Sequence, residues 1–380
     1  MTVNLTGAPR PFVPFPQSDR RAPVEARRAV ARIAGVGTAV TGRSYTQREL
    51  LDIFAIEDPR IRSVFLNSAI ERRHLTLPPP DENGVRAPEP QGQLLAKHKR
   101  LALDMGSRAL QACLKDARQS LADLGYLCVV TTTGFLTPGL SALLIRDLGI
   151  DPACHRVDVV GMGCNAGLNA LNSTAAWAAS HPGRTAVMVC VEACSAAYAF
   201  DESMRTAVVN SLFGDGAAAV ALVAPPEEVR PAPAGPRILH FASLLIPDAI
   251  DAMRYDWDEV LGRFSFFLDP EIPYVVGAHA ERVVDRLLDG AGLRRGDVAH
   301  WLVHSGGKKV IDAVRLNLGL SRHDVRHTTG VLRDHGNVSS SSFLFSYERL
   351  TREQAAVPGD FGVLMTMGPG STIETALVQW

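Results

Sequence analysis

The sequence predicts an α/β fold that is built from two duplicated halves. Three observations favour this fold class: strand-like and helical patterns alternate along most of the chain, a proline-rich segment interrupts them, and the alternation then restarts. The interruption at residues 225–236 contains five prolines and is typical of a linker. A length of 380 residues also exceeds what one hydrophobic core usually serves. We therefore expect one half at 29–224 and the other at 237–380.

The first half begins after a segment rich in Pro and Arg, residues 1–28, which we predict to be a flexible arm. Apolar residues at three- and four-residue spacing and short β-branched runs then define the elements. Helices are predicted at 46–56, 97–118, 139–148, 163–180 and 204–213, and strands at 127–133, 157–160, 186–192 and 216–224.

The second half repeats the alternation. Strands are predicted at 238–246, 301–304, 361–367 and 372–379, and helices at 274–289, 308–318 and 340–350. A strand turns into a helix near Cys164 in the first half and at Gly306 and Gly307 in the second. We expect these two turns to lie at corresponding points of the duplicated fold.

Composition and charge exclude several classes of protein. The formal net charge is −1, with no basic tract and no zinc-type cysteine spacing, so we expect no nucleic-acid partner and no metal. No segment approaches the roughly 20 apolar residues of a membrane helix, so we expect no membrane association. The six cysteines stand singly, which favours a reducing cytoplasm over a secreted disulfide framework.

Cys164 is the candidate nucleophile. An apolar strand ends at Val160, the glycines at 161 and 163 permit a tight turn, and a helix of small residues begins at the cysteine. A helix N-terminus presents free N–H groups and a positive dipole end, which is expected to lower the pKa of a thiol. A buried structural cysteine is the alternative, and it applies to Cys113, Cys128 and Cys190.

His304 and Asn337 are the candidate partners of Cys164. His304 ends an apolar strand, and Asn337 lies in a Gly-Asn turn before a serine-rich helix start. Decarboxylation itself creates a carbanion, so a condensing enzyme needs hydrogen-bond donors at the developing enolate and no strong base. A histidine and a neutral amide supply such donors, whereas acyl hydrolysis would favour a carboxylate that orients the histidine.

These three contexts, together with Leu212–Gly216 and the Gly368–Gly370 loop, resemble the type III polyketide synthases, the chalcone-synthase-like branch of the thiolase superfamily. The resemblance covers residues 28–380. It implies a five-layered αβαβα fold, a homodimer, and direct use of CoA thioesters such as malonyl-CoA without a cofactor or carrier protein.

Three further segments, 161–169, 253–257 and 327–333, resemble a bacterial branch of that family. The resemblance implies that malonyl-CoA alone is condensed into a dihydroxyphenylacetyl thioester, a precursor of dihydroxyphenylglycine in glycopeptide-type antibiotics. Four two-carbon units account for its eight carbons. Other products, such as tetrahydroxynaphthalene, remain open alternatives.

The resemblance also assigns residues around the cysteine. Phe213 and Phe266 match the gatekeepers between the CoA tunnel and the cavity, although Phe264 and Phe267 crowd the second position. The same match implies further positions: Thr132, Thr137 and Ala197 for the cavity, and Arg60, Arg62, Gly306, Gly307 and Lys308 for CoA. Thr137 stands where plant members have a methionine that reaches in from the partner subunit.

Two alternative functions would involve the same residues. A priming ketoacyl-carrier-protein synthase would share the Cys-His-Asn set, but a His-Gln-Ala-Asn-like stretch is expected there, and this chain has His304-Ser305-Gly306-Gly307. A non-catalytic subunit that only shapes a partner's cavity would be expected to lack the cysteine. Cys164 is present, which favours an enzyme.

Overall fold

The computed structural model describes residues 29–84, 86–198, 203–226 and 235–380. The predicted arm at 1–28 and most of the predicted linker, 227–234, lie outside the described residues. In chain order the strands are β1 (Arg32–Ala39), β2 (Ser44–Thr46), β3 (Arg72–His74), β4 (Leu124–Thr131), β5 (His155–Val160), β6 (Thr185–Glu192), β7 (Gly216–Val223), β8 (Arg237–Leu245), β9 (Met253–Asp258), β10 (Arg263–Leu268), β11 (Val298–Val303), β12 (Phe361–Gly368) and β13 (Thr372–Gln379). The α-helices are α1 (Gln47–Ile53), α2 (Pro59–Leu66), α3 (Gln91–Asp116), α4 (Leu140–Leu148), α5 (Ala166–Ser180), α6 (Met204–Leu212), α7 (Ile272–Asp289), α8 (Lys308–Asn317), α9 (Arg326–His335) and α10 (Ser342–Glu353).

The main sheet shows the duplication directly. Among the described residues its strand order is β11-β12-β13-β8-β1-β7-β6-β4-β5, and a single pair, Arg32 with Arg237, joins β1 to β8. In the first half β1 pairs antiparallel with β7, β7 antiparallel with β6, and β6 parallel with β4. The strands β8, β13, β12 and β11 repeat that series of two antiparallel pairs and one parallel pair. Each half is therefore the same strand arrangement, and β5 is an extra edge strand of the first.

The two halves of the sheet enclose a central helix layer. Successive side chains of a strand point to opposite faces, and on β6 Met188 packs in the core that contains α5 and α10, while Val189 packs in the core that contains α3 and α4. On β12 Leu364 faces the central core and Met365 faces the core of α7 and α8. The layers therefore run helix, sheet, helix, sheet, helix, which confirms the five-layered thiolase-like arrangement.

The strand β1 has no counterpart among the sequence-predicted elements, and its glycines explain why. Glycine weakens a strand pattern because it offers no side chain to pack. In the structure a Cβ on Gly37 would lie 2.3 Å from the backbone nitrogen of Cys113, so α3 lies directly against β1 at this position. Gly37 thus weakens the strand pattern in the sequence, and a glycine is required there because α3 packs so closely against β1.

The structure contains most of the predicted elements, with shifted ends, and it contains several elements that were not predicted. The sequence did not predict α2, α9, β2, β3 or the hairpin of β9 and β10. The expected correspondence between the turn at Cys164 and the turn at Gly306 is wrong. By topology β11 matches β4, and the turn at Cys164 precedes the central helix α5 as the turn at Ser339 precedes α10.

None of the described helices is both long enough and apolar enough to cross a membrane.

Candidate active site

The cysteine lies in a turn that the first half builds at the start of its central helix. A short 3₁₀ turn, Gly163–Asn165, connects β5 to α5 and leaves Cys164 only 9% exposed. Gly163 has a φ of +80°, and a Cβ there would lie 2.0 Å from Cδ of Pro369. The Gly368–Gly370 loop singled out in the sequence therefore packs against the cysteine turn.

The three predicted residues lie around one turn of the second half, Ser339–Ser341, and the first residue of α10, Ser342. The Ser339 hydroxyl lies 3.4 Å from the Sγ atom of Cys164. The Ser339 N–H donates to Oδ1 of Asn337 at 2.9 Å, which leaves the amide nitrogen of Asn337 as the donor for a ligand. His304 contacts the Ser342 hydroxyl through Nδ1, which leaves Nε2 as its second functional nitrogen. Residues that are far apart in the sequence thus meet at the N-terminus of α10.

The pKa of the Cys164 thiol differs from the value that the sequence predicted. Burial raises the pKa of the Cys164 thiol to about 12, the Ser339 hydrogen bond lowers it, and the charge of Glu192 raises it further. Burial lowers the pKa of His304 to about 3. The expected lowering of the thiol pKa by the helix N-terminus is therefore wrong for this site, because the loss of water outweighs the dipole. Burial thus favours the neutral form of each group, a thiol for Cys164 and an imidazole for His304.

Glu192 is a site residue that the sequence analysis missed. It ends β6, is fully buried, and accepts hydrogen bonds from the Thr132 N–H at 3.0 Å and from the Ser339 hydroxyl at 3.3 Å. Ser340 donates a further hydrogen bond. Burial raises the pKa of this carboxyl. The available signal was a carboxylate directly after the apolar run 186–191, where burial is costly unless several donors surround it.

Phe213 is tied to Asn337 through the backbone. The Asn337 N–H donates to the carbonyl of Leu212 at 2.8 Å, and the Gly214 N–H donates to the carbonyl of Asn337 at 3.0 Å. Phe266 packs edge-on against Phe213, with ring centroids 6.2 Å apart. Phe266 is 7% exposed whereas Phe264 is 49% exposed and packs on Trp257, so Phe266 is the residue beside Phe213.

The structure places the predicted cavity residues in three environments. Thr132 belongs to the Glu192 network, with its hydroxyl 3.3 Å from that of Ser339. Ala197 lines a hollow together with Phe266. Thr137 is exposed on the surface of the chain, away from these contacts.

The residues predicted to hold CoA lie on α2 and at the start of α8. Arg60 is 2.8 Å from Asp58 and strongly exposed, and Arg62 donates to the carbonyl of Ile56 at 2.8 Å. Lys308 lies 3.7 Å from Asp312. The Gly306–Gly307 turn connects His304 to α8, and a Cβ on Gly306 would lie 2.9 Å from the His304 ring. The glycines thus adjoin the site, while the basic side chains have other partners.

The described residues contain no group of three or more His, Cys, Asp or Glu side chains that could hold a metal ion. Catalysis without a metal or cofactor stays a prediction.

The architecture also has known relatives among solved structures. The crystal structure of PKS-I from the brown alga Ectocarpus siliculosus superposes with a TM-score of 0.86 at 26% identity, over 93% of this chain and 99% of that chain. A five-layered fold with a buried cysteine at a central helix and a serine-rich turn facing it defines the class of thiolase-like condensing enzymes.

Family models and curated relatives narrow the class. Residues 93–226 match the N-terminal domain of chalcone and stilbene synthases, and residues 239–380 match their C-terminal domain. The 3,5-dihydroxyphenylacetyl-CoA synthase of Streptomyces toyocaensis is 72% identical over 92% of this chain and 90% of its own length. That of Amycolatopsis orientalis is 70% identical over 92% and 94%. The chain belongs to the chalcone and stilbene synthase family, the type III polyketide synthases, and is an acyltransferase of the condensing type.

Proposed function

We propose that this enzyme condenses malonyl-CoA units by decarboxylation and closes the chain to 3,5-dihydroxyphenylacetyl-CoA. The observation that carries the proposal is that Cys164 and Asn337 both contact Ser339, and that His304 contacts Ser342 three residues further on. The names of relatives at 70% and 72% identity support the choice of product.

In the loading step the Cys164 thiol attacks the thioester carbonyl. Because the thiol is protonated at rest, its proton must leave as the carbon–sulfur bond forms. With Nδ1–H donating to Ser342, Nε2 of neutral His304 carries a lone pair and takes that proton. The proton then passes to the departing CoA sulfur, so the acyl group is on the enzyme and His304 is neutral again.

In the condensation step Asn337 and His304 hold the thioester oxygen of an incoming malonyl-CoA. Loss of CO2 leaves an electron pair as an enolate, and its negative oxygen is stabilised by the Asn337 amide and an Nε2–H. Between the two steps the His304 ring exchanges protons with water, so that Nδ1 loses its proton and Nε2 gains one. The Ser342 hydroxyl can accept from or donate to Nδ1, so it matches both neutral tautomers. The enolate carbon attacks the Cys164 thioester, and the carbon–sulfur bond breaks with its electron pair on Sγ. A proton taken up from water restores the Cys164 thiol, and the lengthened chain is on CoA.

The proposed product balances with four malonyl-CoA molecules. One supplies the starter after decarboxylation and three extend it, so four CO2 and three CoA are released. An intramolecular carbon–carbon closure followed by loss of one water gives the dihydroxylated ring, and the last CoA stays on the acid. The buried network of Glu192, Thr132 and Ser339 lies beside the thioester carbon in this scheme, where it excludes bulk water.

We propose Phe213 and Phe266 as gatekeepers, and Ala197 and Thr132 as cavity residues beside them. Arg60, Arg62 and Lys308 are proposed CoA contacts. Helix α2 packs on α6 through Ile61, Phe65 and Ala207, and α6 ends next to Phe213, which supports this placement. The Gly306–Gly307 turn is proposed to let the thioester arm approach His304.

We further propose a cytoplasmic homodimer that acts in antibiotic biosynthesis. The edge strand β5 exposes Val157 and Val160, at 36% and 41%, and Phe135 nearby is 71% exposed, so a second copy could cover this edge. Thr137 is exposed in the same region, as a residue that reaches the partner would be. The six cysteines are all free thiols, which fits a reducing compartment.

The test is incubation of the full-length enzyme with malonyl-CoA alone, followed by mass spectrometry of the released thioesters. The proposal expects 3,5-dihydroxyphenylacetyl-CoA and free CoA in a ratio of one to three. Tetrahydroxynaphthalene would contradict the product, and turnover only with a malonyl carrier protein would contradict the donor. Light scattering on the same sample gives the oligomeric state, and a monomer would contradict the dimer.

A further inference from the structure

A cavity of about 650 Å³ lies beside Phe213. The residues predicted to hold CoA are all among those that the structure describes, and none of them lines this cavity. They are Arg60, Arg62, Gly306, Gly307 and Lys308. Neither Cys164, His304 nor Asn337 lines it, but its lining residues Cys194 and Phe213 pack in one cluster with Cys164, so the cavity adjoins the site of the thioester chemistry. Its volume falls in the range of roughly 300–1,000 Å³ that is usual for small-molecule sites.

Arg263 lines this cavity although it is only 5% exposed. Within the described residues its guanidinium makes no hydrogen bond and no ion pair. The carboxylate of Asp256, opposite Ser265 in the same hairpin, is already engaged by Arg205 at 2.8 Å and Arg254 at 2.9 Å. A buried charge without a partner is costly, so this guanidinium is suited to an anion that the protein does not itself supply.

A second buried guanidinium lines the same cavity. Arg73 is 1% exposed and donates to the carbonyl of Phe213 and to Gln47, but its Nε atom has no hydrogen-bond partner. Two carboxylates line the cavity as well. Glu89 is held by Lys97, and Asp52 is exposed to solvent. The charge of the buried Asp215 acts on Arg73, so Arg263 is the buried guanidinium of this lining that no described carboxylate pairs.

We propose that this cavity binds the carboxylate of a small organic acid through Arg263 and Arg73. A planar guanidinium matches a carboxylate in a bidentate arrangement. The remaining wall is largely apolar, with Leu50, Leu75, Val209 and Phe213 among its residues, and it suits an aromatic or aliphatic body. Such a wall favours an organic acid over a phosphate, which needs donors on all sides. The site does not depend on which polyketide the enzyme makes.

Titration calorimetry with phenylacetate and with phenylacetamide, which has nearly the same shape without the charge, tests the proposal on the full-length protein. The wild type is expected to bind the acid about tenfold or more tightly than the amide, since hydrogen bonds to a charged group have that effect. Arg263→Gln should remove this preference and Arg263→Lys should retain part of it. Arg282→Gln, at an exposed position on α7, is the matched control and should leave the preference unchanged.

Three results would overturn the proposal. They are equal binding of acid and amide by the wild type, absence of phenylacetate binding, or an unchanged preference in folded Arg263→Gln. Pyrophosphate that displaces phenylacetate and binds more tightly would assign the site to phosphate instead. If the melting temperature shows that Arg263→Gln does not fold, the preference for acid over amide in the wild type and in Arg263→Lys tests the proposal. Cys164→Ala should keep the acid preference, which separates this test from the fate of the proposed function.

Discussion

The two turns that precede the central helices hold equivalent places in the duplicated fold and have diverged in chemistry. The first, Gly163–Asn165, carries the thiol, and a glycine with positive φ lets it pass under Pro369. The second, Ser339–Ser341, has its positive φ of 49° at Ser339, a residue with a side chain, and that hydroxyl faces the thiol. Duplication thus supplies two helix N-termini that meet, and each half contributes a different group to the same site.

The comparison also shows which force sets the state of the thiol. Both helix N-termini present a positive dipole end, which should favour thiolate. The enclosure that they create removes water from Cys164 and His304, and burial moves both pKa values toward the neutral forms. Burial therefore favours a thiol that transfers its proton during the reaction over an ion pair prepared beforehand.

Replacement of the thiol should give the largest effect. Cys164→Ala removes the covalent carrier, so an acyl-enzyme adduct should no longer appear by intact-protein mass spectrometry. Turnover should fall by about 10³-fold or more, because a covalent step that positions the acyl group is lost. Cys154→Ala is the control, since Cys154 is buried to a similar degree, 8% against 9% exposed. A normal adduct in Cys164→Ala would assign the nucleophile elsewhere.

Asn165, in the first turn, and Asn337, just before the second, should respond differently to replacement by alanine. Asn337→Ala removes a donor to the enolate and should slow malonyl-CoA decarboxylation by about 10²-fold, with acyl loading less affected. Asn165→Ala, at the first turn, is the matched comparison because Asn165 is also buried and its Oδ1 has no hydrogen-bond partner. Release of labelled CO2 and acyl-enzyme formation measure the two steps. An equal loss of both steps in Asn337→Ala would contradict the enolate role.

The pH dependence of alkylation distinguishes a neutral thiol from an ion pair. The thiol pKa is raised to about 12, so the thiolate fraction below that value grows as pH rises. Alkylation of Cys164 by iodoacetamide should therefore accelerate by about tenfold per pH unit between pH 6 and 9. Peptide mass spectrometry gives the rate at this residue. A rate that is flat across the range would indicate a thiolate–imidazolium pair.

Two glycines of the cysteine turn should separate backbone strain from crowding. Gly161 and Gly163 have φ values of +82° and +80°, but a Cβ on Gly161 meets no atom within 4 Å whereas one on Gly163 would overlap Pro369. Gly161→Ala should cost about 1–2 kcal/mol of unfolding free energy from φ alone. Gly163→Ala should cost about 1–3 kcal/mol more, from overpacking. Chemical denaturation measures both, and equal losses would remove the packing role of the Gly368–Gly370 loop.

Local patterns were sufficient for much of the fold and for part of the site. The helix at α4 ends at Gly149 as predicted, with a left-handed backbone there, because a glycine after an apolar helical run is a local signal. The hairpin of β9 and β10 was missed because only Met253, Arg263 and Phe266 of its strands are buried, and the strands carry mixed polar and aromatic residues. Glu192 was missed because its donors come from Thr132, Ser339 and Ser340, which no local pattern connects to it.

The alternation of strands and helices, the family, and the three residues proposed for catalysis could all be predicted from the sequence, since spacing and residue type are properties of short segments. The folded chain was needed to show that the turn at Ser339 is the counterpart of the cysteine turn, and that Ser342 faces the ring of His304. The raised pKa of the Cys164 thiol also follows from the folded chain. Burial is produced by elements from both halves packing together, and desolvation depends on that packing, not on the neighbours of a residue along the chain.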